Sequence, residues 1–181
     1  IAESCDIYFY TIGGGYDKIK GLGVDRLENY FKLFGLGEKT GIDLPAESAG
    51  LVPSPAWKAV NKNETWFTGD TYHISIGQGD LLVTPLQLAV ATAAIANGGR
   101  VIAPHIVDKI VDSDKNVIEQ VNAKVIHDNF IDGNNLEAVR QGMRQTVTAG
   151  TARLLGDLKV EAAAKTGTAQ VGGQKNSNAW F

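Results

Sequence analysis

Thr84-Pro85-Leu86-Gln87 carries a complete helix-start signature. Thr84 stands at the N-cap, and Pro85 occupies the first helical position, where a missing N–H costs nothing. Gln87 stands at the third, where its side chain can answer the cap as a capping box. An alanine-rich run follows to Asn97, and Gly98-Gly99 stops it. A helix with such small side chains suits an interior in which neighbours approach closely, so the rest of the chain has to build a core around it. Residues 86–96 are also the longest apolar run; they include Gln87 and Thr92 and fall short of the roughly 20 residues that cross a bilayer. With 181 residues, 44% of them hydrophobic and 20% charged, the chain has material for one domain or one large lobe. A net charge of −3 without a basic block speaks against a nucleic-acid partner. The single cysteine, Cys5, excludes an internal disulfide framework and leaves the redox compartment open.

Residues 1–12 crowd Ile7, Tyr8, Phe9, Tyr10 and Ile12 into a stretch of ambiguous period. They read as a buried helix, already under way at Ile1, with Ser4 or Asp6 as cap and Gly13-Gly14-Gly15 as stop. Residues 23–34 place Val24, Leu27, Tyr30, Phe31 and Phe34 at helical spacing. Residues 40–47 read as a loop, 53–60 as a short proline-initiated helix at most, and 64–79 as a loop with one helical turn near 70–75. Beyond the central helix, residues 101–102 and 106–111 read as strands, Asp112 to Asn116 as a turn, and 117–126 as a partner strand. Asp132 opens an amphipathic helix with Leu136, Val139, Met143 and Val147 on one face. Gly150 closes it, and Thr151 caps one further turn through Leu155. Helices first, then a strand pair, a helix and two sheet strands make a segregated α+β order.

The last of these strands has its own chemistry. Residues 163–171, followed by a Gly172-Gly173 turn and Ala179-Trp180-Phe181, read as strand, hairpin and the start of the next strand. Lys165 supplies a cation, the Thr166 and Thr168 hydroxyls can donate to a carboxylate, and Gly167 lets a substrate backbone lie along the strand edge. Alone, this is equally an ordinary edge strand with a solvated lysine. Four further stretches change the odds: Ser4-Cys5-Asp6, Thr40-Gly41-Ile42-Asp43-Leu44-Pro45, Ser75-Ile76-Gly77-Gln78-Gly79 with Leu82-Val83-Thr84-Pro85-Leu86-Gln87, and residues 146–152. Together, and in this order, they closely resemble the transpeptidase domain of class B penicillin-binding proteins, in particular the elongation type, over nearly all of the chain.

The resemblance implies a penicillin-binding protein or serine β-lactamase-like fold, an antiparallel sheet with a helical lobe. Residues 1–181 would be a partial transpeptidase domain, from the Ser-x-Asp motif to just past Lys-Thr-Gly. In that family Ser-x-x-Lys, a Ser-x-Asn-type motif and Lys-Thr-Gly build one site. Ser4-Cys5-Asp6 stands for the second motif, with Asp6 in place of the commoner Asn, so it accepts hydrogen bonds but no longer donates as an amide. The first motif is missing: neither Ser48 nor Ser54 has a lysine three residues on, and Ser113 is followed by Asn116. The nucleophile is therefore expected upstream of Ile1, and the chain, which opens without Met, reads as part of a longer protein.

The resemblance assigns Ser4, Asp6 and Lys165 to catalysis and Thr166, Gly167 and Thr168 to substrate binding. A serine attacks a carbonyl only when a base takes its proton, and a lysine serves when desolvation or nearby positive charge lowers its pKa. Lys165 adds such a field from across the site, and Ser4 relays a proton toward the leaving amine. The two threonine hydroxyls suit the terminal carboxylate of a D-Ala-D-Ala stem peptide or of a β-lactam, and the Thr168 N–H would be half of an oxyanion hole. The implied function is a peptidoglycan D,D-transpeptidase working through a serine acyl-enzyme. A serine β-lactamase and a non-enzymatic β-lactam-sensing domain are the alternatives. The long interval from Ser4 to Lys165, and the absence of a glutamate in a convincing deacylation loop, weigh against the first. The interval, with Gly-Gln-Gly and Thr-Pro-Leu-Gln, weighs against the second.

No cofactor is implied, and His73, His105 and His127 show no metal-ligand pattern. The implied partners are the stem peptide, β-lactams and cell-wall elongation proteins, at the periplasmic face of a bacterial inner membrane. Gly77-Gln78-Gly79 reads as a tight turn near the cleft. Trp57 reads as packing, Trp66 as packing or a cleft border, Trp180 as core, and Cys5 as buried or half-buried. The family's sheet has strands beyond both ends of this chain, so the central helix and the Lys165 strand are expected to show apolar surface.

Overall fold

The computed structural model describes residues 1–170 and 177–180. Backbone contacts divide them into two compact units. One comprises Ile1–Glu28, Pro53–Leu81 and the chain from Asp132 onward; the other comprises Asn29–Val52 and Leu82–Ile131.

In the first unit, α1 (Asp6–Gly14) packs against α4 (Thr68–Ser75). The reason lies in Gly13 and Gly14. A Cβ at Gly13 would sit 1.8 Å from Ser75 Oγ, and one at Gly14 would sit 2.2 Å from the Tyr72 ring. These glycines allow close approach as well as ending the helix, and the Tyr72 hydroxyl donates to the Gly15 carbonyl at 2.8 Å. The expected buried helix is corrected in two respects. Cys5, not Ser4 or Asp6, is the N-cap residue, without a side-chain cap bond, so Ile1 lies outside the helix. Ile7 is 75% exposed, because α1 meets α4 through its glycines and Tyr10, whose ring lies 5.6 Å from that of Tyr72. Cys5 itself is exposed, against the expected burial.

The proline-initiated helix is α3 (Pro55–Lys62), capped by Ser54, whose hydroxyl accepts from Trp57 N–H at 3.1 Å. The full two turns of α4 exceed the single expected turn. Its N-cap is Phe67, which cannot cap with its side chain; instead Asp70 accepts from Phe67 N–H at 2.7 Å. The buried Lys58 ammonium meets Asp70 at 2.8 Å and Glu64 at 3.3 Å, tying α3 to α4. α6 (Gly133–Thr148) begins at Asp132, which accepts from Asn134 N–H. After it come a 3₁₀ turn (Arg153–Asp157) and the antiparallel hairpin of β5 (Gly167–Gln170) and β6 (Ser177–Trp180), which pairs Gly167 with Trp180 and Gln170 with Ser177. The expected Gly172-Gly173 turn, like the Trp180 side chain, lies outside the described residues.

α2 (Val24–Leu33) falls on the predicted helix. In the second unit, α5 (Pro85–Ala96) has the predicted cap in full: Thr84 Oγ1 accepts from Gln87 N–H at 3.1 Å and Gln87 Oε1 from Thr84 N–H at 2.9 Å. Gln87 is wholly buried, and its amide also donates to the Glu38 and Ala49 carbonyls at 2.7 and 2.8 Å, so one side chain caps a helix and anchors the 34–52 loop. Val90, Ala94 and Val101 form the core here, with Phe34 and Phe130 edge-to-face against it. α5 leaves Ala89, Thr92, Ala93 and Ala96 exposed, in keeping with the expected uncovered surface.

The strands between α5 and α6 are more numerous than periodicity predicts. β1 (Val101–Ala103) pairs with β4 (Lys124–His127), and β2 (Lys109–Val111) with β3 (Val117–Gln120), both antiparallel. Ile106 and Val107 join no strand because their N–H groups go to the Asp43 carboxylate at 2.8 and 2.9 Å. The single partner strand expected at 117–126 is two strands, because β3 pairs with β2 whereas β4 pairs with β1. Asp112 closes the predicted turn by accepting from Asp114 and Asn116 N–H. The α+β class holds, with three two-stranded antiparallel ladders among the described residues.

Candidate active site

The site lies within the first unit. Beneath it, buried Val147 from α6 packs with Ala152 and Ala164, and Leu155 and Ala162 close over them. Two backbone bonds fix the segment ahead of β5 on that core: Ala164 N–H donates to Met143 O at 3.1 Å and the Arg144 guanidinium to Ala162 O at 2.9 Å. Lys165 and Thr166 thus precede the strand, which begins at Gly167; the expected strand start at 163 is corrected, because these backbone groups bond α6 instead.

From this seat Lys165 Nζ donates to Ser4 Oγ at 2.7 Å and to the Thr166 carbonyl at 2.6 Å. The first bond joins residues 161 positions apart. Ser4 meets it from a left-handed backbone (φ 50°), closed by Ser4 N–H on the Ile1 carbonyl at 3.2 Å. Non-glycine residues rarely hold such a conformation unless their surroundings fix it. Burial holds the Lys165 pKa below its ordinary 10.5, and the Asp6 carboxylate partly restores it. Asp6 is the first residue of α1, exposed, and acts on Lys165 through its charge.

Thr166 is half-buried, and its hydroxyl shares a 2.7 Å hydrogen bond with that of Thr151. Thr151 N–H in turn donates to the Ala2 carbonyl at 3.2 Å. Thr151 therefore does not cap the following turn, as periodicity suggests; it links the Ser4 segment to the Lys165 segment. Gly167 and Thr168 are exposed on β5, and the Thr168 carbonyl accepts from Gln78 Nε2 at 3.0 Å. All six predicted residues lie in the one unit, and two more join them. Gln78 comes from the turn expected near the cleft. The Thr151 hydroxyl had no signal beyond its place in residues 146–152.

Trp66 lies elsewhere in the unit, its indole N–H on Thr71 Oγ1, lining a hollow of about 300 Å³ with Lys58, Lys62, Asp70 and Asp80. Among the described residues no group of three or more His, Cys, Asp or Glu side chains could hold a metal ion, and no helix is long and apolar enough to cross a membrane.

A lysine and a serine hydroxyl in contact, beside the start of a strand, can pass protons and hold an anion. Comparison with known proteins agrees in kind. Residues 1–181 match the family described as the penicillin binding protein transpeptidase domain. The chain is 37% identical over 171 residues to the peptidoglycan D,D-transpeptidase MrdA of Acinetobacter baumannii, covering 94% of this chain and 24% of that protein. It is 34% identical over 182 residues to the protein of that name from Escherichia coli K12, covering 97% and 27%. A Helicobacter pylori structure, the complex between penicillin-binding protein PBP2 and MreC, superposes with a TM-score of 0.80 at 36% identity, covering 99% of this chain and 31% of that one. The chain thus spans about a quarter of the length of these curated relatives.

Proposed function

This chain belongs to the penicillin binding protein transpeptidase domain family, and from that premise we propose that it forms the Ser-x-Asp and Lys-Thr-Gly walls of a peptidoglycan D,D-transpeptidase. The observation that carries this is the 2.7 Å bond from Lys165 Nζ to Ser4 Oγ. It brings together the two motifs that the chemistry needs in one cleft, although 161 positions separate them.

Acyl transfer needs a protonated leaving amine and a stabilised oxyanion. With Lys165 donating to its oxygen, Ser4 keeps its own O–H free to turn into the cleft. A proton delivered to the departing amine of D-Ala leaves Ser4, and Lys165 replaces it. Desolvation favours that transfer, because it lowers the cost of Lys165 losing its charge. Asp6 opposes it, because its charge favours the ammonium. Thr166 and Thr168, beside the ammonium, suit a substrate carboxylate, and the Thr168 N–H suits the developing oxyanion.

The attacking serine is a separate matter, since no Ser-x-x-Lys was found in the sequence. We assign it to a part of the full-length protein outside these residues. The partner class is the cell-wall elongation machinery, of which the MreC of the Helicobacter pylori complex is an example, and the site would face the periplasm from the inner membrane. Mass spectrometry after incubation with a penicillin tests the assignment. The full-length protein is expected to gain one penicilloyl group on a serine outside the 181 residues. The isolated chain is expected to gain none; a penicilloyl group on a defined serine of that chain contradicts the assignment.

A further inference from the structure

We propose that Gln78 is a positioning residue for the oxyanion wall, acting through the Thr168 carbonyl; this rests on the transpeptidase function proposed above. In an antiparallel ladder the N–H and C=O of one residue point to the same edge of the strand. The Thr168 carbonyl accepts from Gln78 Nε2 at 3.0 Å, so it is turned toward Gln78. The Thr168 N–H, which the chemistry needs, lies on the same edge. Holding the carbonyl therefore sets the direction of the N–H.

Gln78 is itself held from three sides. Gly77 and Gly79 bracket it, both in the left-handed region (φ 74° and 76°), and a Cβ at Gly77 would meet nothing within 4 Å. Gly77 is thus needed for its backbone angle, not for space. Gln78 N–H donates to the His73 carbonyl at the end of α4 at 2.9 Å. Asp80, two residues on, takes a two-pronged bond from Lys62 of α3 at 2.6 and 2.8 Å. A turn clamped at both ends presents one amide to one carbonyl of the catalytic strand. Displacing reacting groups by about 1 Å costs on the order of 10²-fold in rate.

The test is stopped-flow acylation of the full-length protein by a fluorescent penicillin, with the rate constant and the dissociation constant separated. Gln78→Ala is expected to lower the acylation rate constant about tenfold or more while changing the dissociation constant less than threefold. Gln78→Glu distinguishes positioning from packing. Its carboxylate cannot donate to the Thr168 carbonyl, but its protonated form can, so its deficit relative to wild type is expected to narrow as pH falls toward the carboxyl range. Rate constants within twofold of wild type in both variants, or a Gln78→Glu deficit independent of pH, overturn the inference alone. A wild-type protein that is never acylated overturns the proposed function and this inference with it.

Discussion

Under the proposed function, Lys165 is the residue on which the chemistry turns. Its ammonium has two fixed acceptors, the Ser4 hydroxyl and the Thr166 carbonyl, and sits in a half-buried place that works against its charge. The sign of the pH effect follows. The charged form is disfavoured in the fold, so Lys165 loses its proton at a pH below 10.5, and stability from this group rises with pH between its folded value and 10.5. If acylation needs the Lys165 charge, the alkaline limb of the acylation rate falls below pH 10.5. Asp6 raises the lysine pKa, so Asp6→Asn is expected to move that limb to lower pH. Lys165→Arg, whose guanidinium stays charged, is expected to move it up or remove it. A pH–rate profile for the three proteins checks both directions; an Asp6→Asn limb that does not move removes Asp6 from the site.

At the scale of elements, the helix at Thr84 was the most legible part of the chain, because its signals are local. Cap, proline, answering glutamine and glycine stop lie in one stretch and agree. What the sequence does not display is that Gln87 also reaches Glu38 and Ala49. Gln87→Leu is expected to strand the Glu38 and Ala49 carbonyls and the Thr84 N–H and to cost roughly 3 kcal/mol, read as a fall in the denaturation midpoint; a loss under about 1 kcal/mol contradicts that role. The less legible elements share one cause, backbone groups whose partners come from far along the chain. Ile106 and Val107 look like a strand but give their N–H groups to Asp43. Residues 163–166 look like a strand but bond α6 and their own lysine. α4 lacks a polar N-cap residue, so its start was hidden until Asp70 was seen to reach back to Phe67. In the site, the six predicted residues were legible as motif members. Thr151 and the Thr168 contact of Gln78 were not, since a hydroxyl pair and a side chain to carbonyl bond leave no periodicity.

For the whole molecule, each unit holds a carboxylate that folding keeps ionised. In one, burial raises the Asp70 pKa but Lys58 and the Phe67 N–H outweigh it; in the other, burial raises that of Glu47 but the Thr40 hydroxyl and the Thr40 and Gly41 N–H groups outweigh it. Both fall below their ordinary values of 3.8 and 4.5, so the stability they contribute is present above those values and is lost as pH falls through the lower folded ones. Thermal melts from pH 7 to pH 3 are expected to show that loss, with a shallower slope in Glu47→Gln and Asp70→Asn; parallel slopes in all three proteins contradict it. The central claim is that residues at opposite ends of this chain form one catalytic wall. The rate of acylation of full-length Lys165→Ala by a fluorescent penicillin tests it most directly. A fall of about 10²–10⁴-fold, with the fold intact by thermal melting, is the predicted result. Acylation at the wild-type rate would contradict it.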